Sequence, residues 1–290
     1  DRGESQNWFA SREIVIEIVM MVMAFYLFVV HIFTHPHPYI EPALFKDRNF
    51  SVGLVFIFIV GIILLATMTL LPPFMQGLMG YPVIDVGYLL APRGVGTMFA
   101  MMLVGRLSGR VDVRILILLG LLLTSFSMWE MTLFNTDISS WDIVRTGIVQ
   151  GLGLGFIFVP LSTITFATLA PRYRNEGTAL FSLVRNIGSS IGISVVITYL
   201  AQRTQMNHEV FASYITPFNA GLQQGMGTAA LVTPKGLAML NGEVTRQASL
   251  LAYLQDFRLM MWVSLCAIPL VLLLKAPKRG GGKEALAILE

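Results

Sequence analysis

Seven stretches of this chain are long, apolar and nearly free of charge, most of them long enough to cross the roughly 30 Å hydrocarbon core of a bilayer. Read with a window of about twenty residues, they run 14–34, 52–71, 86–104, 115–134, 143–170, 177–201 and 259–274. The last is short and is expected to borrow a turn from the polar helix before it. The runs are continuous. Barrel strands would alternate apolar and polar positions over segments of about ten residues, so helices are the spanning structure that remains. The expected fold class is all-α, a polytopic membrane protein. Composition agrees, since 55% of the 290 residues are hydrophobic and 13% charged, whereas about a quarter are charged in an ordinary soluble domain. A water-soluble single-domain enzyme is excluded.

The connections carry the charge, and their signs set an orientation. One face receives Lys46 and Arg48, then Arg106, Arg110 and Arg114, then Arg172 and Arg174, and finally Lys275, Lys278, Arg279 and Lys283. The short loops 72–85 and 135–142 on the other face hold no Lys or Arg. Positive loops mark the cytoplasm, so Asp1 is expected outside and the tail 276–290 inside. The net charge of +3 therefore reads as topology and not as a nucleic-acid footprint. One polar segment, 202–257, is long. Its first half, rich in Gly and Pro from Pro217 to Gly242, is expected to be irregular. Its second half places Val244, Leu251, Leu254 and Phe257 at helical spacing, as in an extramembrane helix leading into the last span. The start of the chain is polar, with neither the basic start nor the apolar core of a signal peptide, and reads as part of something longer.

Few residues suit chemistry. Cys266 lies in an apolar run and is expected to be a small buried hydrophobe. His31, His35, His37 and Glu41 gather at a membrane exit, interrupted by Pro36 and Pro38, and no metal or other cofactor is expected there. The alternate glycines Gly151, Gly153 and Gly155 read as close-packing devices, because no Lys-Ser or Lys-Thr follows to complete a phosphate cradle. Sixteen methionines, among them Met98, Met101 and Met102, offer either an adaptable apolar surface or plain packing. Charges inside the spans are costly and mark pathways unless they snorkel. Arg93 after Pro92, Arg185 with Asn186, Glu130 near the end of its span and Glu17 near the start of the first are the cases here. Pro160 interrupts the longest span and is expected to break or kink its helix.

Several motifs carry a family resemblance. Gly105, Leu107, Arg110 and Arg114, with Asp112 between them, resemble the loop that major facilitator transporters place between the second and third helices of each half. Gly109 stands where the family's usual acid falls, and Asp112 where its late glycine does. Leu71-Pro72-Pro73-Phe74-Met75-Gln76 is similar to the outer turn of the EmrB/QacA-type fourteen-span drug:proton antiporters. Arg145 with Gln150-Gly151-x-Gly153-x-Gly155 and Pro160, then Leu183-Val184-Arg185-Asn186-Ile187-Gly188, resemble two later helices, and Gln247-Ala248, Tyr253, Asp256 and Phe257 the end of the long outer loop. Glu41-Pro42, Phe45 and Asn49-Phe50 fit the linker ahead of the C-terminal half.

The resemblance implies a C-terminal six-helix bundle over 51–275 with a long periplasmic loop at 202–257. Residues 1–50 would hold a periplasmic segment, one extra transmembrane helix and a cytoplasmic linker. It also implies a proton-coupled efflux permease of the inner membrane, multi-pass, exporting hydrophobic drugs by alternating access and driven by the proton gradient without a cofactor. The N-terminal half, which holds the family's Gly-Pro motif and main proton-linked acid, would be the missing partner, and a periplasmic adaptor and outer-membrane channel serve Gram-negative members. On this reading Arg93, Gln150, Arg185, Asn186, Gln76 and Glu130 are candidates for the substrate or proton pathway. Gly105, Leu107, Arg110, Asp112 and Arg114 are candidates for the gate, and Pro160 for a helix break. A non-transporting scaffold or truncated remnant stays open, because one six-helix bundle forms no two-sided cavity by itself, as does an exporter of lipid or siderophore.

Overall fold

The computed structural model describes residues 11–35, 40–107, 109–216 and 233–275. Among them there is no β-strand. Seven helices run α1 (Arg12–Thr34), α2 (Arg48–Pro73), α3 (Val83–Leu107), α4 (Val113–Met131), α5 (Ser140–Ala167), α6 (Arg174–Ser213) and α7 (Pro234–Ala267). All seven are long and apolar enough to cross a membrane, and the chain is an all-α polytopic membrane protein.

Helices in lipid gain little from hiding apolar side chains from one another, so they associate where small residues let backbones touch. Gly151 and Gly155 of α5 face α3, where a Cβ on either would collide with the backbone at Arg93 or Thr97. Gly153, between them in sequence, faces α4 and meets the backbone at Gly120 and Thr124. α5 is thereby clamped between α3 and α4, and the alternate glycines do serve close packing. A second set joins α2 to α6, with Gly61 against the Arg185 carbonyl, Gly188 against Phe58 and Gly192 against Ile62. α7 completes the bundle across α4 and α6. α1 stands apart, and none of its described residues is buried.

Apolar cores fill both ends of the bundle, and a smaller one, Ala100, Val104, Leu116 and Phe156, joins α3, α4 and α5. Leu44, Phe50, Ile117, Leu161, Leu180 and Val271 pack at the end where the basic loops converge. There Asn49 both donates to the Lys275 carbonyl (3.0 Å) and accepts from the Lys275 N–H (2.8 Å), while Arg48 donates to the Leu273 carbonyl (2.9 Å). Asp47 caps α2 by accepting from the Phe50 N–H (3.0 Å), and the Thr168 hydroxyl donates to it across the bundle (2.8 Å). At the far end Phe74 meets Tyr253 and Phe257 edge-on, with ring centroids 5.4 and 6.1 Å apart, in a core with Phe134, Met128 and Met260.

Several sequence expectations need correction. The segment 202–257 is not mainly loop. Residues 202–213 continue α6, and α7 begins at Pro234, so the two helices rise together as a hairpin arm, with Asn207 donating to the Ala248 carbonyl (3.2 Å) and His208 3.0 Å from Asn241. At 1.5 Å per residue, the 40 residues of α6 reach about 60 Å, twice the hydrocarbon thickness. A hydropathy window detects where the solvent changes, not where a helix ends. The stretch 234–242, expected to be irregular, is helical, while 217–232 lies outside the described residues, as do the tail 276–290, the first ten residues and His37.

The outer turn 72–85 is likewise shorter than expected. α2 passes through Pro72 and Pro73 into one π-turn, Phe74–Leu78, and only four residues separate it from α3. Pro160 does not break α5, which is helical throughout. The proline leaves the Phe156 carbonyl without its ladder donor, and the Ser162 and Thr163 hydroxyls donate back to the Val159 carbonyl further along. Cys266 is exposed on the outside of the bundle, because the buried positions around it on α7 are Ser264 and Ala267.

Substituting Gly151 by leucine is expected to cost about 1–3 kcal/mol through forced separation of α3 and α5. A lowered melting temperature in detergent would show this, while Gly87→Leu, where nothing lies within 4 Å of the new Cβ, serves as the neutral control.

Candidate functional site

Because glycines pull α5 onto α3 and α2 onto α6, the four helices α2, α3, α5 and α6 share one face of the bundle. That face is a cleft of about 1040 Å³. Its walls are Val60, Leu64 and Met68 of α2, Leu90, Thr97, Met98, Met101 and Met102 of α3, Leu154 and Phe158 of α5, and two cations, Arg93 and Arg185. α4 and α7 contribute nothing to it. The lining is thus almost wholly apolar, with four flexible thioethers and charge of one sign, features of a pocket that accepts apolar ligands of varied shape.

Arg93 is 8% exposed and its Nη2 has no hydrogen-bond partner. Its helix begins at Val83, earlier than the 86 read from the sequence, which takes Arg93 away from the outer surface and into the middle of α3. Its own backbone carbonyl is engaged, accepting from the Thr97 hydroxyl at 3.0 Å. Arg185 is half-buried, with its guanidinium carbon 5.9 Å from the centre of the Phe158 ring. Among the described residues, neither arginine has a carboxylate within 4.0 Å.

The other candidate residues lie elsewhere. Gln150 is fully buried between helices, where its amide donates to the Thr67 hydroxyl at 3.3 Å, and it is not among the cleft walls. Asn186 and Gln76 are exposed outside the cleft. Glu130, at the end of α4, is held by Arg145 at 2.8 Å through one carboxyl oxygen, with a side chain only 10% exposed and the other oxygen buried without a partner, and it is not among the cleft walls. In the turn between α3 and α4, Gly109 adopts φ 90°, a left-handed conformation that favours glycine. Asp112 caps α4 by accepting from the Arg114 N–H at 3.0 Å, and Arg110 is exposed. Gly105 and Leu107 end α3. No ion pair links Asp112 to Arg106, Arg110 or Arg114 among the described residues.

One residue was passed over as a candidate. Asp256 of α7 is fully buried, and neither of its carboxyl oxygens has a hydrogen-bond partner. Its position beside Phe257 and three residues after Tyr253 was visible in the sequence, but burial depends on how α7 is rotated. Phe158 and Met68 also escaped notice, since an apolar residue in an apolar helix carries no sign of the face it occupies.

A six-helix membrane bundle with an apolar cleft on one face, flanked by a further helix, defines a polytopic membrane protein with the architecture of a transporter half. Residues 13–193 match the family model described as Major Facilitator Superfamily, and the chain belongs to that superfamily. Its relatives are of the EmrB and FarB type. It is 30% identical over 288 residues to the fatty acid resistance protein FarB of Neisseria gonorrhoeae, and 26% identical over 289 residues to the multidrug export protein EmrB of Escherichia coli K12. Each alignment takes in 97% of this chain and 56% of the relative. The lincomycin resistance protein LmrB of Listeria innocua is 26% identical over 196 residues, 68% of this chain and 42% of LmrB. The chain spans about half the length of the curated relatives it matches.

The Glu130–Arg145 pair is expected to be structural. In a double-mutant cycle with Arg145→Ala and Glu130→Gln, thermal unfolding is expected to give a coupling of about 1 kcal/mol, kept small because Arg145 is half exposed. Transport by Glu130→Gln is expected to remain near wild type.

Proposed function

We propose that this chain acts as the C-terminal half of a proton-coupled efflux permease of the inner membrane, exporting hydrophobic or amphiphilic compounds by alternating access. The observation that carries the reading is the methionine-walled cleft on one face of the bundle, in a chain whose relatives bear names of drug export and fatty acid resistance. A cleft open along one side needs a second bundle to become a cavity with two gates, and rocking of two halves about such a site is the general mode of these folds. On this reading that second bundle would lie in the part of the relatives this chain does not cover. The α6–α7 arm rises from the end opposite the basic loops and offers contact to a periplasmic adaptor and, through it, an outer-membrane channel.

Proton coupling needs a group that gains and loses a proton within the membrane. In this half we assign Asp256 as its candidate carrier, because a buried membrane carboxyl without a partner is costly to keep for structure alone. The turn between α3 and α4, from Gly105 to Arg114, is assigned to gating at the inner face, with Arg110 and Arg114, neither of which has an ion pair among the described residues, meeting acids of the other half.

The test is dye export by cells expressing the complete gene product in a background without its own pumps. Export is expected to stop when the proton gradient is collapsed, and export that ignores the gradient would overturn coupling. Asp256→Asn is expected to abolish uphill export at least tenfold while sparing downhill efflux. A native polypeptide of 32.0 kDa that is monomeric in membranes and exports nothing would favour the scaffold reading instead.

A further inference from the structure

A groove of about 520 Å³ lies at the base of the α6–α7 arm, apart from the cleft. Ile197, Leu200, Ala201, Thr204, Gln205 and His208 of α6 form one wall, and their spacing of three and four residues puts them on a single helical stripe. Thr245 of α7 faces them. The stripe is divided, since its first three residues are apolar and its last three polar. That division has a definite height. Counted from Arg174 at the basic end, Ala201 and Thr204 stand 27 and 30 residues along α6, about 40 and 45 Å at 1.5 Å per residue. A bilayer with both headgroup layers is about 40–45 Å thick. The groove therefore straddles the far surface of the membrane, apolar on the bilayer side and polar on the water side.

The polar part holds no Lys, Arg, Asp or Glu among its walls. Asn241 fixes two of its members. Its side-chain oxygen is 3.0 Å from His208 Nε2, and its carbonyl accepts from the Thr245 hydroxyl at 2.8 Å, which leaves the Thr245 oxygen able to accept from a ligand. Charged residues close by in sequence are engaged with other groups. Glu243 meets Arg246 at 3.1 Å and accepts from Gln247 at 2.8 Å, and Arg203 lies over the Tyr199 ring, 4.8 Å from its centre.

Complementarity then selects the occupant. A phosphate or carboxylate would find no cation among the walls, and a cationic head no carboxylate, whereas an uncharged head that donates and accepts hydrogen bonds finds partners. The volume falls within the roughly 300–1,000 Å³ of small-molecule sites, while a protein partner needs a broad surface of about 800 Å² on each side. We propose that this groove is a second ligand site on the exit side, in which an exported amphiphile with an uncharged, hydrogen-bonding head stands half lifted from the bilayer. Its apolar body lies against Leu200 and Ala201, and its head meets Thr204, His208 and Thr245. The inference rests on the export reading above and adds a station between the cleft and water. It also gives the lower arm a task of its own, since a span that merely crossed the membrane would need no graded stripe above the hydrocarbon.

The complete transporter, in nanodiscs of phosphatidylethanolamine and phosphatidylglycerol, is to be photolabelled with 1-monododecanoylglycerol bearing a diazirine at the chain end. Dodecyl methyl ether and phosphatidylethanolamine with the same tag are carried alongside, and the labelled peptides are mapped by mass spectrometry. The monoacylglycerol is expected to label 197–201, and an excess of the untagged compound to remove that label. Leu200→Trp, which fills the floor of the groove, is expected to lower it at least about fivefold while label at Met98 and Met102 of the cleft stays within about twofold, which also shows that the variant is folded. Thr204→Val combined with Thr245→Val, a change of little volume, is expected to lower monoacylglycerol labelling about tenfold through two lost hydrogen bonds, with labelling by the ether unchanged. Label at 197–201 that ignores both variants, or no label there from the monoacylglycerol, overturns the proposal. So does phosphatidylethanolamine labelling 197–201 as strongly as the monoacylglycerol, which would mark a resident lipid. In proteoliposomes Leu200→Trp is expected to slow export of N-phenyl-1-naphthylamine at least threefold with its KM little changed. A wild type that exports the dye but takes no label at 197–201 sinks this inference alone, whereas a wild type that exports nothing under a proton gradient sinks the export reading itself.

Discussion

Backbone contact through glycine is the constraint on which this bundle depends. Lipid offers no reward for hiding one apolar helix against another, so association must come from dispersion and close fit. α5 illustrates it: Gly151 and Gly155 on one side, Gly153 on the other, bring three helices to backbone distance. The same device fixes α2 on α6. Because both contacts fall on the carbonyls of Arg93 and Arg185, the packing that builds the fold also sets where the two cations stand. Fold and site are one arrangement, and a side chain added at Gly151 or Gly61 would disturb both.

Polarity is distributed by the same logic. The buried hydroxyls of Ser125, Ser127 and Ser189 find a carbonyl or another hydroxyl on a neighbouring helix, and the Gln150 amide N–H, deep between α5 and α2, finds Thr67. These pairs hold neighbouring helices in register at modest energy each. Arg93 and Asp256 are different, for each is buried without an ionic partner among the described residues, one in the cleft and one in the α7 core. Groups of this kind are expensive to keep in a membrane protein, and they are the places where transport chemistry is to be sought.

Much of the fold was legible in the residues. Each apolar run corresponds to a helix, because a stretch that must satisfy its own backbone in hydrocarbon has no other structure open to it. The arm formed by α6 and α7 was read as a loop because the window that finds spans responds to side-chain polarity. Helical hydrogen bonding continues unchanged when the surroundings turn to water. The break allowed at Pro160 is absent, since a helix can run on through a proline at the loss of one ladder bond, here the one to the Phe156 carbonyl.

The candidate site was legible in part. Arg93 and Arg185 stand out in any reading, since a cation in an apolar run is conspicuous. Gln150 was as conspicuous, yet it faces helices and not the cleft, and Met68 and Phe158 were inconspicuous yet line it. What the sequence by itself determined is the set of helices, their number and their alternation through the membrane, because hydrocarbon leaves backbone polar groups one solution per segment. Only the tertiary structure decided which face of each helix meets its neighbours and which opens on the cleft, because rotation about a helix axis is set by where small residues on two helices meet, a property of pairs that no single segment contains.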